Sequence, residues 1–303
     1  MLRCAETARP WSRWCRLVDN HCIRVWAFSD ATTGASLEDS RKETTSDMNN
    51  AQTSSLTHVW DRVVCGVDRT TSSVHAARAA ARLMPAAASL TLCTVVDPEG
   101  ASAVTSEVRT REAKGALDRA QAEIQRVHDT EVHLREGPPI SRLLEELQAE
   151  RATLIAVGNH GHGEAGLGSV ARAMLHDAPC SVLIAHSVDP DGGEVVVGFD
   201  GSGGARRALA VGRELSERLS LTLRVLVGTA GPHPPGPGWS RAELGPDIDF
   251  TEDPRTAVQA LTDASSAARL VILGSRHLPA ALALSSVSEQ AAQGARCPVL
   301  VVR

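Results

Sequence analysis

The sequence predicts an α/β protein made of two tandem doubly wound parallel sheets. Three observations carry this: an internal repeat, strand-length apolar runs alternating with helical faces, and glycine-bearing turns where strands end. Arg62-Val-Val-Cys-Gly-Val-Asp68 matches Glu194-Val-Val-Val-Gly-Phe-Asp200. Thr153-Leu-Ile-Ala-Val-Gly158 matches Leu270-Val-Ile-Leu-Gly274, and Ala178-Pro-Cys-Ser-Val-Leu-Ile184 matches Ala295-Arg-Cys-Pro-Val-Leu-Val301. Matched segments in the same order mean a duplicated domain, with the turn-forming Asp189-Pro-Asp-Gly-Gly193 as linker.

Residues 1–57 stand apart. They carry Trp11, Trp14 and Trp26 without a sustained helical or strand period, then a polar stretch from Glu38 to Ser55. They read as a disordered extension, or as residues upstream of a start codon at Met48, and no unbroken apolar core marks them as a signal peptide. The first repeat is expected over 58–188 and the second over 189–303. In the first, strands are predicted at Val63–Val67, Leu90–Val96, Glu131–Leu134, Thr153–Val157 and Ser181–Ala185. Ala113, Ala116, Leu117, Ala120, Ile124 and Val127 recur at helical spacing between them, as do Ile140, Leu143, Leu144 and Leu147, and a further helical face opens at Val170. Alternating strands and helices give a parallel sheet covered on both faces. Ligands of such sheets bind beyond the carboxyl ends of the strands, which points to Asp68, Val95 and Gly158.

Composition narrows the function classes. A chain of 303 residues that is 43% apolar can build two cores. No window approaches the roughly 18 continuous apolar residues of a membrane helix. The net charge of -5 is interspersed, so nucleic acid has no basic field to hold it. The seven cysteines form no CxxC pair, and Cys65 and Cys93 fall inside apolar strands, which fits a reducing cytoplasm.

Gly158-Asn-His-Gly161-His-Gly163-Glu-Ala-Gly166-Leu-Gly168-Ser169 runs from a strand into a helix. Glycines let a backbone approach a ligand closely, and a helix amino terminus offers free N–H groups to an anion. Ser169 is expected as helix N-cap and phosphate donor, and Asp68 reads either as a ligand contact or as the N-cap of a helix starting near Ser72. His160, His162 and His176 lack an acid or cysteine at ligand spacing and are expected as solvated loop histidines. Taken in order with Thr94-Val-Val-Asp-Pro98 and Ala178-Pro-Cys-Ser-Val-Leu183, these motifs resemble the universal stress protein family over about residues 60 to 303. The resemblance implies an adenine nucleotide α-hydrolase-like fold and a site for ATP or another adenine nucleotide, with Mg2+ as a compatible companion. Asp68, Val95, Gly158, Gly161, Gly168 and Ser169 match that family's binding positions. Its G-x-x-G-x9-G-S/T loop is three residues shorter here, since six residues separate Gly161 from Gly168.

The second repeat departs further. His277 and Ser285 stand where its loop would need glycines, and Pro232, Pro234, Pro235 and Pro237 break its crossover, so a truncated helix and a dismantled pocket are expected. Its expected role is structural pairing. Single-domain members of the resembled family dimerise through the last strand, which implies antiparallel pairing of Ser181–Ala185 with Pro298–Arg303 inside this chain, and a homodimer is also compatible. The function expected is nucleotide-dependent regulation. The alternatives are a nucleotide-blind scaffold and, last, an enzyme, because Arg206 and Arg207 interrupt the loop that an ATP pyrophosphatase would need and a Walker lysine is missing. At most slow ATP hydrolysis is expected.

Overall fold

The computed structural model describes residues 17–18, 21–22, 60–97, 103–124, 130–159, 166–186, 192–231, 236, 239–246, 248–275 and 286–303. Within 1–57 these are only the strands β1 (Leu17–Val18) and β2 (His21–Cys22), which pair antiparallel. The rest of that stretch, with its expected disorder, lies outside the described residues, as does Val127.

Residues 60 to 303 build one ten-stranded sheet. Repeat one supplies β3 (Arg62–Gly66), β4 (Ser89–Val96), β5 (Thr130–Glu136), β6 (Leu154–Gly158) and β7 (Ser181–Ala185). Repeat two supplies β8 (Glu194–Gly198), β9 (Thr222–Ala230), β10 (Asp249–Thr256), β11 (Ala268–Gly274) and β12 (Val299–Val302). The order across the sheet is β10-β9-β8-β11-β12-β7-β6-β3-β4-β5. Each half is parallel, with its first strand in the middle and its fifth at the joint.

Helices cover both faces. On one lie α1 (Thr71–Leu83), α2 (Ala103–Ile124) and α5 (Gly203–Leu219), and on the other α3 (Pro139–Ala149), α4 (Ser169–Asp177), α6 (Ala257–Ala264) and α7 (Val287–Gly294). Because side chains alternate along a strand, Val63 and Cys65 feed one core and Val64 the other. Both cores run through both repeats without a break. Alanine dominates the inner face of α1 (Ala76, Ala77, Ala80, Ala81), which lets this helix lie close to the sheet.

The joint is the antiparallel pair β7–β12. Leu183 faces Leu300, its own counterpart in the internal repeat, while Ile184 faces Val299 and Val182 faces Val301. That register is symmetric about the two leucines, so the repeats are related by a pseudo-twofold axis between them. The residues after the two strands repeat the symmetry. His186 Nε2 donates to Ala292 O at 3.1 Å, and the Arg303 guanidinium donates to Leu175 O at 2.6 Å. Each repeat thereby satisfies a carbonyl in the last turn of the other's final helix, where cations and donors are favoured. Arg172 Nε adds an ion pair to the buried Glu289 at 3.0 Å, and Arg218 donates to Leu83 O.

In repeat two the crossover between β9 and β10 holds, among the described residues, a single 3-10 turn at Arg241–Leu244 in place of a long helix. Aromatic packing fills the layer instead. Trp239 sits edge-on to Phe199 with centroids 5.7 Å apart and 5.6 Å from Phe250, and Arg241 lies over the Phe250 ring at 5.3 Å. The sheet ends on β5 and β10, whose exposed charges and Pro254 discourage further pairing.

Deleting Pro298–Arg303 should strip β12 from β7 and leave an apolar edge. The truncated protein is expected to self-associate in size-exclusion chromatography with light scattering. A monodisperse product of unchanged stability would contradict this role for the joint.

Candidate functional site

At the topological switch point of repeat one, β3 lies between β4 and β6, and a cleft opens beyond their carboxyl ends. It is lined by Asp68 after β3, Val95 on β4, Gly158 at the end of β6, and Gly168 and Ser169 at the start of α4, with Pro139 and Leu143 of α3 closing one side. Five of the six expected site residues thus come together from separate segments. Gly161, with His160 and His162, lies outside the described residues.

The local chemistry of these residues departs from the sequence reading in three places. Asp68 is not the N-cap of α1. Thr70 is, accepting from Ser73 N, while Asp68 Oδ1 accepts from Thr70 N at 2.8 Å and Thr70 Oγ1 at 2.5 Å. This turn holds the exposed carboxylate at the cleft. Ser169 is not the N-cap of α4 either. Gly168 takes that place with φ -63, its N–H donates to Asn159 O at 2.8 Å and closes the base of the loop, and Ser169 is the first helical residue. Positive φ falls instead on Gly166, at +96.

The third departure concerns Gly158. A Cβ on this residue would stand 2.9 Å from both the Ser72 carbonyl carbon and Ser73 N, because the start of α1 presses on the end of β6. Repeat two repeats the contact, with Gly274 against Gly204 and Ala205 N, the latter 2.6 Å from an ideal Cβ. The glycine is thus required by helix–strand packing whether or not a ligand is bound.

Asp68 is the one charged residue among the described residues lining the cleft. Cys93, also on its wall, has its thiol pushed up to about 12 by burial, with Glu146 adding to the effect and Arg135 opposing it, so it is a packed thiol and not a nucleophile. Among the described residues lining the cleft, the groups chemically suited to an anion are the backbone N–H groups at the start of α4, where the helix dipole is positive.

Repeat two carries a second cleft at the corresponding strand ends, while His277 and Ser285, on which the expectation of a dismantled pocket rested, lie outside the described residues. Asp200, Gly228, Gly274, Ser275 and Ser286 occupy the corresponding wall, joined by His176 and Arg303. Asp200 Oδ1 accepts from Ser202 N at 2.9 Å, and Ser202 caps α5, the same turn that Asp68 and Thr70 make. This turn and the Gly274 packing are properties of the strand ends that the two repeats share. His176 is likewise not a solvated loop histidine. It lies near the end of α4, largely buried, with Nε2 3.5 Å from Glu289 Oε2.

A further ionic cluster escaped the sequence reading. Glu146 of α3 is buried, bonded to His133 Nδ1 through Oε1 and to Arg135 Nε at 2.7 Å through Oε2. His133, Glu146 and Glu150 could bring ligand atoms within 4.8 Å of one another, but the Arg135 guanidinium already neutralises the buried carboxylate, which makes the cluster a structural one. Its signal was the alternation of His133 and Arg135 on one face of a strand, which names no partner until α3 is placed.

The universal stress protein family model matches residues 60–186 and 250–303. A universal stress protein of Mycolicibacterium smegmatis is 28% identical over 284 residues, covering 80% of this chain and 96% of that protein. One of Mycobacterium tuberculosis is 29% identical over 193 residues, covering 50% of this chain and 62% of its own length. Among solved structures, a universal stress protein from Archaeoglobus fulgidus superposes with a TM-score of 0.63 at 18% identity, covering 80% of this chain and 98% of that one.

Two outcomes follow from this geometry. Gly158→Ala should destabilise the ligand-free protein by about 2 kcal/mol or more in denaturant unfolding, since the new methyl meets backbone on both sides. Burial raises the Glu146 carboxyl, but its bonds to Arg135 and His133 outweigh this and hold it below the usual glutamate range. A lowered folded-state pKa stabilises above the unfolded value and is lost as pH falls through the folded one. Glu146→Gln should therefore flatten the acid limb of the stability profile and cost about 3 kcal/mol at neutral pH, measured by urea unfolding across pH.

Proposed function

Since the chain belongs to the universal stress protein family, we propose that the repeat-one cleft binds an adenine nucleotide, ATP foremost, and that repeat two, over 189–303, serves as its structural pairing partner. The observation that carries this reading is the convergence of Asp68, Val95, Gly158, Gly168 and Ser169 on one cleft at the switch point. The Asp68 carboxylate, fixed by Thr70, is placed to accept from a ribose hydroxyl or to meet a cation. The β4 end at Val95 offers a backbone edge and an apolar surface to the base. The first turn of α4 offers N–H groups and the Ser169 hydroxyl to phosphate. Because the described residues of the lining include no Arg or Lys, a companion Mg2+ suits the phosphate charge. Among the described residues of the lining no general base and no cation flank the phosphate position, which supports a nucleotide-dependent regulator with at most slow hydrolysis. A reducing cytoplasm suits the buried thiols of Cys65, Cys93, Cys180 and Cys297.

One observation favours the second reading, a nucleotide-blind scaffold: Gly158 is required by packing alone, so its presence does not speak for a ligand. Calorimetry separates the two. With Mg2+ present, one nucleotide is expected per chain, weakened roughly tenfold or more by Asp68→Ala and by chelation of the metal, and unaffected by Asp200→Ala. Two equivalent sites, or loss with Asp200→Ala but not Asp68→Ala, would overturn the assignment to repeat one. Absence of binding would leave the scaffold.

A further inference from the structure

Repeat two reaches across the joint and holds the segment that leads into α4, Gly166-Leu167-Gly168-Ser169, at two points. Gly166 turns with φ +96, and an ideal Cβ on it would stand 2.9 Å from Nε2 of Gln293, in the last turn of α7. One residue on, Leu167 O accepts from Arg172 Nη2 at 3.3 Å, while Nε of the same guanidinium donates to Glu289 Oε1 at 3.0 Å. Glu289 belongs to repeat two and is 8% exposed, so packing fixes its carboxylate. The Arg172 side chain is about half exposed, and its direction is set by that buried partner.

The bond to Leu167 O governs more than a carbonyl. Leu167 C=O and Gly168 N–H belong to one planar peptide unit. Its N–H end donates to Asn159 O at 2.8 Å, at the end of β6, and its C=O end is gripped by Arg172. A peptide plane held at both ends fixes where the chain enters α4, and with it the direction of the N–H and hydroxyl that Ser169 turns to the cleft.

The internal repeat shows that this grip is peculiar to the tandem chain. Ala178 matches Ala295, and Arg172 and Glu289 each stand six residues earlier, so they are counterparts that touch across the pseudo-twofold axis. Residues on such an axis meet their own copies in a symmetric dimer. Two copies of repeat one would set Arg172 against Arg172, and two of repeat two Glu289 against Glu289, both pairs of like charge. Only repeat one joined to repeat two places a carboxylate where it can steer the arginine.

We infer that Glu289 of repeat two is a positioning residue for the phosphate end of the repeat-one cleft, acting through Arg172 on the Leu167–Gly168 peptide. The inference rests on the reading of that cleft as a nucleotide site. Calorimetry with Mg-ATP and NMR-detected hydrogen exchange of the Gly168 amide, both on the full chain, test it. Arg172→Lys keeps a charge opposite Glu289 but loses the planar fork that spans both partners. Glu289→Gln keeps the shape and removes the charge. Each should weaken Mg-ATP binding roughly three- to tenfold and speed Gly168 exchange by a similar factor. Arg218→Ala, which loosens the joint at Leu83 O on the other face of the sheet, should leave both at the wild-type value. Unchanged affinity in both variants, or an equal loss in Arg218→Ala, would overturn the inference. If the wild-type protein binds no Mg-ATP, the nucleotide reading of the cleft falls, and the grip on Leu167 stands with faster Gly168 exchange in the two variants and falls with unchanged exchange.

Discussion

Everything in this protein hangs on the pair formed by β7 and β12. A parallel half-sheet covered by helices on both faces has apolar strands to its edge, and an edge of that kind cannot be left in water. Val182, Leu183 and Ile184 on one side and Val299, Leu300 and Val301 on the other are buried almost completely. At about 1.5–3 kcal/mol for each buried side chain, these six represent about 9–18 kcal/mol, at least as much as the net stability of a whole domain. The fold of each repeat therefore leans on the other. The symmetric register about Leu183 and Leu300 and the reciprocal bonds from His186 and Arg303 fix the angle at which the halves meet.

That constraint explains how repeat two tolerates change at a distance from the joint. Among the described residues its β9–β10 crossover holds only a 3-10 turn, and the core beneath is filled by Trp239, Phe250 and Ile248. Next to the joint little has moved: the Asp200–Ser202 turn and the Gly274–Gly204 contact reproduce those of Asp68–Thr70 and Gly158–Ser72.

The same joint sets the geometry of both clefts through one helix. The amino end of α4 walls the first cleft with Ser169, Val170 and Ala171, and its carboxyl end walls the second with Leu175 and His176. Arg172, between them, is tied to Glu289 of α7, and Arg303 bonds the last turn. A nine-residue helix held at both ends and in its middle has little freedom to move at one cleft without moving at the other.

The sequence by itself determined the architecture. Period-two and helical apolar patterns, and matched segments ending in Gly-x-Asp and in Gly, are local signals, and they specified two α/β repeats, the switch point, and Asp68, Val95 and Gly158 at strand ends. What the tertiary structure decided are matters of contact between distant segments. Gly158 reads as a phosphate glycine until Ser72, far away in sequence, is seen lying against it. Ser169 reads as a helix cap, and Asp68 as either a ligand contact or a cap, until Gly168 and Thr70 are found in the capping places, because capping depends on one residue's backbone angle, which composition does not fix. His176 reads as a loop histidine, and Glu146 carries no signal at all, because their partners Glu289 and Arg135 come from other elements and burial is a property of the assembled sheet. Periodicity encodes which face of an element is buried, and only packing decides what that face meets.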